Sequence, residues 1–285
     1  MFYQIIKPSK SLHKHINRYV FVRAEGSTDT MQAPSDDPRF INGKHVQPLL
    51  PNYGSMICVR NAIVKIADII ADGVFLLGAN QTTITLTTMS GWFEGLLIDF
   101  EPGGMHALFG IDMQQLCGKV RNNIQCKLDL NTIEKIFKET PDAENIALKL
   151  DIAFGNLLSP QDDINYSRIC KVVSACDSSN GDISATEMAQ TACLSERQFL
   201  RIFKQYVGIS PKQFIRLRRF HSTLQDMQQQ AAKGEKIDLL STILNHGYYD
   251  LSHAALEFQQ MGCLSPSHFR MLGIPLTDDF SIFFA

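Results

Sequence analysis

Residues 183–217, ISATEMAQTACLSERQFLRIFKQYVGISPKQFIRL, read as two helices, a tight turn and the start of a third helix. Ser195 is placed to cap the second helix, and Gln198, three residues on, can return a hydrogen bond to the cap's own N–H. From there Phe199, Ile202, Phe203 and Tyr206 recur at helical spacing on one face, while Arg197, Leu200, Arg201 and Lys204 project from another. One face packs and the other is free to touch something.

The preceding helix, 185–192, turns Met188 and Ala189 inward, and the small Ala189 lets two helix backbones approach closely. Cys193 and Leu194 leave a turn of only a few residues. That is helix-turn-helix geometry, in which the second helix enters the major groove of duplex DNA and the first crosses its backbone. Gly208 supplies a left-handed end to the second helix, and Ser210-Pro211 caps and opens the next. That helix carries Lys212, Arg216, Arg218 and Arg219, and between Ser195 and Arg219 the sole acidic residue is Glu196. A basic run alone is as readily the solvated face of an ordinary helical bundle. The turn, the cap and two basic faces together favour DNA.

Around this stretch the chain has 285 residues, enough for two domains with sizeable cores. Its net charge is -2, so the basic patch is a matter of distribution and not of the whole molecule. The opening MFYQIIKPSK lacks the apolar core of a signal peptide. The most apolar window, 63–78, is broken by Lys65, Asp68 and Asp72 and is no membrane span. The 7 cysteines are odd in number and scattered without a Cys-x-x-Cys pair, which reads as reduced thiols of a cytoplasmic protein.

From the N-terminus to about Phe100 the signals are strand-like. Residues 15–23 are rich in β-branched and aromatic side chains, and the polar run 24–37 after them reads as a loop. Further strands are expected over 46–50, 55–59, 64–66, 74–77, 82–88 and 93–100, close together as in a compact β-barrel or sandwich. After Pro102-Gly103-Gly104 the pattern becomes helical, with helices expected over 105–109, 112–120, 130–139 and 142–158. The last has an apolar face of Ile146, Leu148, Leu150, Ile152, Ala153, Leu157 and Leu158, material either for packing on the barrel or for dimerisation. Residues 159–163, SPQDD, mark a domain boundary. The fold class expected is α+β in two domains: a β-rich domain with flanking helices over 1–160, and an all-helical domain with two helix-turn-helix units over 164–275.

The second unit emerges from an internal repeat. With Phe203 set over Phe258, Ser210-Pro211 falls on Ser265-Pro266 and Phe214 on Phe269. Here the chain resembles the AraC/XylS family of bacterial transcription regulators. The first copy matches its pattern at Met188-Ala189, Ser195, Phe199, Arg201, Phe203, Lys204, Gly208, Ser210, Pro211 and Arg219. The second matches at Gly247-Tyr248, Asp250, Ser252-His253, Phe258, Ser265-Pro266, Phe269 and Arg270. More weakly, 50–54 (LPNYG) and 95–110 are similar to the sensor region of such regulators. The second copy departs from the pattern: Ala254 stands where a large apolar residue is wanted, Leu256 falls at the Arg201 position, Glu257 at Ile202 and Gln259 at Lys204. Its glycine is displaced, with Cys263 in the place of Gly208, and Ile243 replaces the small Ala189.

The resemblance implies a sequence-specific activator or repressor. Its partners are double-stranded DNA, RNA polymerase, a small-molecule effector or other partner acting on the N-terminal domain, and a second copy in a homodimer. It implies no cofactor and no membrane. Within the first unit Arg197 and Arg201 are expected to read bases, because a guanidinium fork matches guanine O6 and N7, and Leu200 to meet an apolar group such as a thymine methyl. Lys204, Lys212 and Arg216 are expected at phosphates, and Arg219 either there or in an internal salt bridge. The alternative is a ligand- or protein-binding module whose second unit has lost specific DNA binding.

Signals for an enzyme are thin. His13, His15, His45 and His106 show no metal-site spacing, and neither a P-loop, a GxGxxG nor a hydrolase elbow occurs. Trp92, Phe93 and Phe100 are aromatics in strands, either core or lining of a ligand pocket.

Overall fold

The computed structural model describes residues 2–24, 40–41, 44–66, 69–88, 93–159, 163–179, 181–234, 236–261 and 265–267. Of the expected features, the loop at 24–37 beyond Ala24, and Trp92, Gly262, Cys263, Phe269 and Arg270, lie outside these residues.

The described N-terminal strands are β1 (Phe2–Ile6), β2 (Ile16–Ala24), β3 (Phe40–Ile41), β4 (Lys44–Leu49), β5 (Ser55–Ile66), β6 (Ile69–Leu77), β7 (Ile84–Thr88), β8 (Phe93–Phe100) and β9 (Val120–Arg121). They form one antiparallel sheet in the order β1-β2-β8-β5-β7-β4-β3, with β6 on β5 and β9 on β6. The two strands expected over 55–59 and 64–66 are halves of β5. Its register shifts between Arg60 and Val64: the first half pairs with β8 and the second with β7, so the sheet turns on itself there.

Both faces of this sheet are buried, which is why 56–59, 74–77 and 96–98 are continuous apolar runs and not alternating ones. Ile57, Val59, Leu76, Leu96 and Ile98 face one core together with Phe109 and Phe154. Cys58, Val64, Phe75, Leu77 and Leu97 face another, inside the turn of the sheet. Helices α1 (Gly104–Phe109), α2 (Leu130–Glu139) and α3 (Ala143–Gly155) cover the first face.

Two expectations fail here. Residues 112–120 are not a helix: Met113–Gln115 make a single 3-10 turn capped by Asp112, and Val120 already pairs in the sheet with Leu77. Gly118, at φ +63°, takes the left-handed turn between them. In α3 the buried residues are Ile146, Ala147, Leu150 and Phe154, whereas Leu148 and Ile152 are 57% and 59% exposed. At 3.6 residues per turn the two sets lie on opposite sides of the helix, so a single apolar face could not hold both.

The C-terminal half is helical: α4 (Ile164–Ser178), α5 (Ala185–Thr191), α6 (Glu196–Val207), α7 (Pro211–Ala232), α8 (Leu239–Asn245) and α9 (Leu251–Gln260). Phe199, Phe203, Phe214, Phe220 and Phe258 fill its core, which also takes in Leu50 and Ala79 from the segments that follow β4 and β6. Among the described residues no helix is long and apolar enough to cross a membrane, and no group of three or more His, Cys, Asp and Glu side chains is arranged to hold a metal.

Candidate nucleic-acid interface

The first unit is shaped by local chemistry. Ser184 and Glu187 form a capping box on α5, Ser195 and Gln198 one on α6, and Ser210 and Gln213 one on α7, with Pro211 as the first helical residue. Cys193, at φ +53°, turns the chain between α5 and α6, and the Leu194 N–H donates to the Ala189 carbonyl at 3.1 Å. The Thr186 hydroxyl donates to Glu196 at 2.8 Å, joining the starts of the two helices.

Along α6 the expected division of faces holds: Phe199, Ile202, Phe203, Tyr206 and Val207 are buried. Arg197, Leu200 and Arg201 are exposed and Lys204 is half-buried. Lys212 stands exposed at the start of α7.

Arg216 is engaged within the protein. Its Nε donates to Glu257 at 3.1 Å and its terminal amine to Gln260 at 2.9 Å. The cause lies in the repeat: Glu257 occupies the inward position that Ile202 fills in the first copy, and a carboxylate brought inside needs a counter-ion. Arg219 makes no ion pair among the described residues; its guanidinium lies over the Tyr248 ring, 5.3 Å from the centroid.

The second unit is α8 and α9, capped by Asp238 and Asp250. Ile243, Tyr248, Ala254 and Phe258 are buried. The exposed residues of α9 are Leu251, Ser252, Leu256, Gln259 and Gln260, with no Lys or Arg anywhere on the helix.

Behind α6 stands the N-terminal half. Gly208, at φ +93°, ends the helix so close to the 3-10 turn that a Cβ there would lie 2.8 Å from the Met113 carbonyl oxygen. The His106 ring of α1 is 4.0 Å from that of Tyr206, and Tyr166 of α4 lies between Tyr206 and His15, stacked on the latter at 4.8 Å. The Tyr206 hydroxyl donates to Asp163, 2.8 and 2.9 Å from its two oxygens. Two further links run from the loop before β7: Gln213 donates to Gln81 at 2.6 Å, and the Thr83 N–H donates to the Met261 carbonyl at 2.8 Å.

His106, one of the scattered histidines of the sequence, and 50–54, the stretch similar to a sensor region, both lie at this junction. Tyr53 meets Phe214 and His221 edge-on, its hydroxyl accepts from Arg218, and His221 donates to the Pro51 carbonyl at 2.7 Å. Gly103 lies against Tyr166 and Ile169 of α4, where a Cβ would press on both. The two N-terminal stretches that resemble the family are therefore where the sheet meets the helical half. What pointed to them in the sequence was their resemblance to the sensor region of such regulators.

Residues 188–271 match the model of a helix-turn-helix domain family. Over 84 residues the chain is 31% identical to an uncharacterized HTH-type transcriptional regulator of Haemophilus influenzae, covering 30% of this chain and 26% of that protein. The chain thus spans about a quarter of the length of this relative. Crystal structures of ToxT from Vibrio cholerae are similar at 12% identity and TM-scores of 0.45 and 0.46, covering 81% and 80% of this chain and 97% of theirs. With its two capped units and connecting helix, the C-terminal region of this chain carries a helix-turn-helix domain, similar in its spacing to those of the AraC/XylS family.

Proposed function

We propose that the protein is a sequence-specific DNA-binding transcription regulator, with residues 164–275 as the DNA-binding domain and 1–160 as the domain that receives a signal. The observation that carries this reading is the outer face of α6. It presents Arg197, Leu200 and Arg201 to solvent on a helix capped at its start and packed along its whole inner side. Arg197 and Arg201 are the base readers, Leu200 the apolar contact, and Lys204 and Lys212 the phosphate contacts. Arg216 is left out of the phosphate set because Glu257 and Gln260 already hold it. A small molecule or partner acting on the N-terminal half alters the freedom of both units, since that half touches α6 through His106 and the second unit through Thr83.

A second reading is favoured by α9. Without a cation on its outward face, α9 adds no counter-ion release, and on this reading the protein is a ligand- or protein-binding module whose second unit has lost specific DNA binding.

The test is selection of genomic fragments by the purified protein, followed by salt titration of the enriched sites beside scrambled DNA. Preferred binding that is lost in Arg201→Ala supports the regulator. Equal and weak binding of all fragments by wild type and variant supports the module.

A further inference from the structure

A cavity of about 660 Å³ lies between the sheet and the helical half, within the size range of small-molecule sites. Its apolar lining comes from Leu50, Met56, Leu97, Phe100, Val173 and Leu224. Its charged lining consists of Asp99, Glu101, Asp177, Lys7, Arg18 and Arg218.

Most of these charges answer one another. Arg18 Nε donates to Asp99 at 3.2 Å, and Asn17 donates to the same oxygen at 3.0 Å. Arg218 pairs with Asp177 and donates to the Tyr53 hydroxyl. Lys7 stands exposed at the edge, where water solvates it, and donates to the carbonyl and the side-chain oxygen of Asn17 at 3.3 Å each.

Glu101 differs from all of them. Its side chain has no ion pair and no hydrogen bond among the described residues, although its backbone N–H is fixed to the His15 carbonyl at 2.9 Å. Burial holds its pKa above the ordinary carboxylate value, and Asp99 and Asp177 push it the same way. The opposing pulls of Arg218 and then Lys7 are weaker. An unanswered carboxyl therefore lines the same space as these apolar side chains, while the two other acids are each held by a guanidinium.

We propose that this cavity is the signal site of the regulator and that its ligand carries a protonated nitrogen on a small apolar body, with Glu101 as the acceptor. The ligand's role rests on the regulator reading above; the chemical class rests on the cavity alone. An ammonium brings up to three donors to Glu101, and a hydrogen bond between charged partners is about twice as strong as a neutral one. A carboxylate ligand would instead meet the unanswered Glu101, with both guanidiniums already occupied and Lys7, at the solvent edge, as the one cation of the lining without an acid partner among the described residues.

The test uses the full chain and three probes with one alkyl body: hexylamine, hexanol and hexanoate. Thermal shift and calorimetric titration are read for wild type and Glu101→Gln. The expected result is saturable stabilisation by hexylamine, at least tenfold weaker in the variant, with hexanol and hexanoate weaker than the amine in wild type. Three results would overturn the proposal: no response to hexylamine, an equal response in the variant, or a stronger response to hexanoate. If Glu101→Gln does not fold, the order of the three head groups in wild type still decides. DNA preference is scored on the same samples without probe, so failure of the regulator reading is seen separately.

Discussion

The ring of Tyr206, on the inner face of α6, lies 4.0 Å from the ring of His106 on α1. The helix that carries Arg197 and Arg201 is thus seated on the N-terminal half, and displacement of α1 is felt at the outer face of α6. Because the hydroxyl of the same tyrosine also donates to Asp163, Tyr206→Phe keeps the ring contact and removes only a charge-assisted bond. The expected loss is about 1.5–3 kcal/mol of stability. Denaturant unfolding of the variant checks it, and unchanged stability would mean that the bond contributes nothing.

Gly104 is required for space and not for backbone conformation. A Cβ on it would fall well inside contact distance of the His15 carbonyl oxygen, which is itself held by the Glu101 N–H. Gly104→Ala should cost about 1–3 kcal/mol as overpacking. Gly155→Ala, at the end of α3 with nothing within 4 Å of the added carbon, should be neutral or stabilising by up to about 1 kcal/mol. Melting temperatures that place the two variants in the reverse order would contradict the packing described at the strand end.

Arg201 and Arg216 should separate cleanly. Arg201→Ala removes an exposed side chain and should leave stability within about 0.5 kcal/mol, while costing roughly 1–3 kcal/mol of discrimination at one base pair. Arg216→Ala leaves Glu257 without its counter-ion and should cost about 1–3 kcal/mol. Adding Glu257→Ile, the residue type at the equivalent position 202, should restore most of that loss, since an apolar replacement of an ion pair is often neutral. Unfolding of the single and double variants tests the pairing, and a double variant no better than the single would argue against it.

Acid should weaken the fold through buried histidines. Burial holds His221 near 4, with the bond to Pro51 opposing and Arg218 adding to the effect; His15 is also held near 4, by burial and then by Lys14 and His13. Unfolded histidine titrates near its ordinary 6.5. Between these values the unfolded chain binds more protons, so stability present above pH 6.5 is lost as pH falls toward 4. His221→Gln should flatten that decline without abolishing it, because His15 remains. Urea titrations at pH 7, 5.5 and 4.5 measure the slope; an unaltered slope in the variant would remove His221 as a contributor.

Lys212 should act on DNA through charge alone. Its replacement by alanine should weaken binding to all sequences alike and reduce the slope of log affinity against log salt by about 0.9. Binding curves at several salt concentrations decide it, and a change confined to one operator sequence would instead assign Lys212 to base reading.

The helix-turn-helix was legible because its determinants are local. A serine with glutamine three places on, a glycine at a helix end and a run of aromatics at helical spacing each act within a few residues, and the caps at Ser195 and Ser210 follow from them directly. Strand β8 was equally plain, as an apolar run ended by proline and two glycines. The 112–120 segment departs from its helical pattern because that pattern is made by two short features, a 3-10 turn and a sheet pair. The apolar face of α3 is narrower than its sequence suggests because large apolar residues occur on both sides of the helix, and its seat on the sheet selects Ile146, Leu150 and Phe154 over Leu148 and Ile152.

By itself, then, the sequence determined the secondary structure of the reading unit and the residues on its outer face, since propensity, capping and periodicity are short-range. Tertiary structure decided what those residues do for one another. Arg216 turns to Glu257, Arg218 to Tyr53 and Asp177, and Glu101 is left unanswered beside a cavity, because charge compensation and burial depend on neighbours 41 or even 165 positions away along the chain.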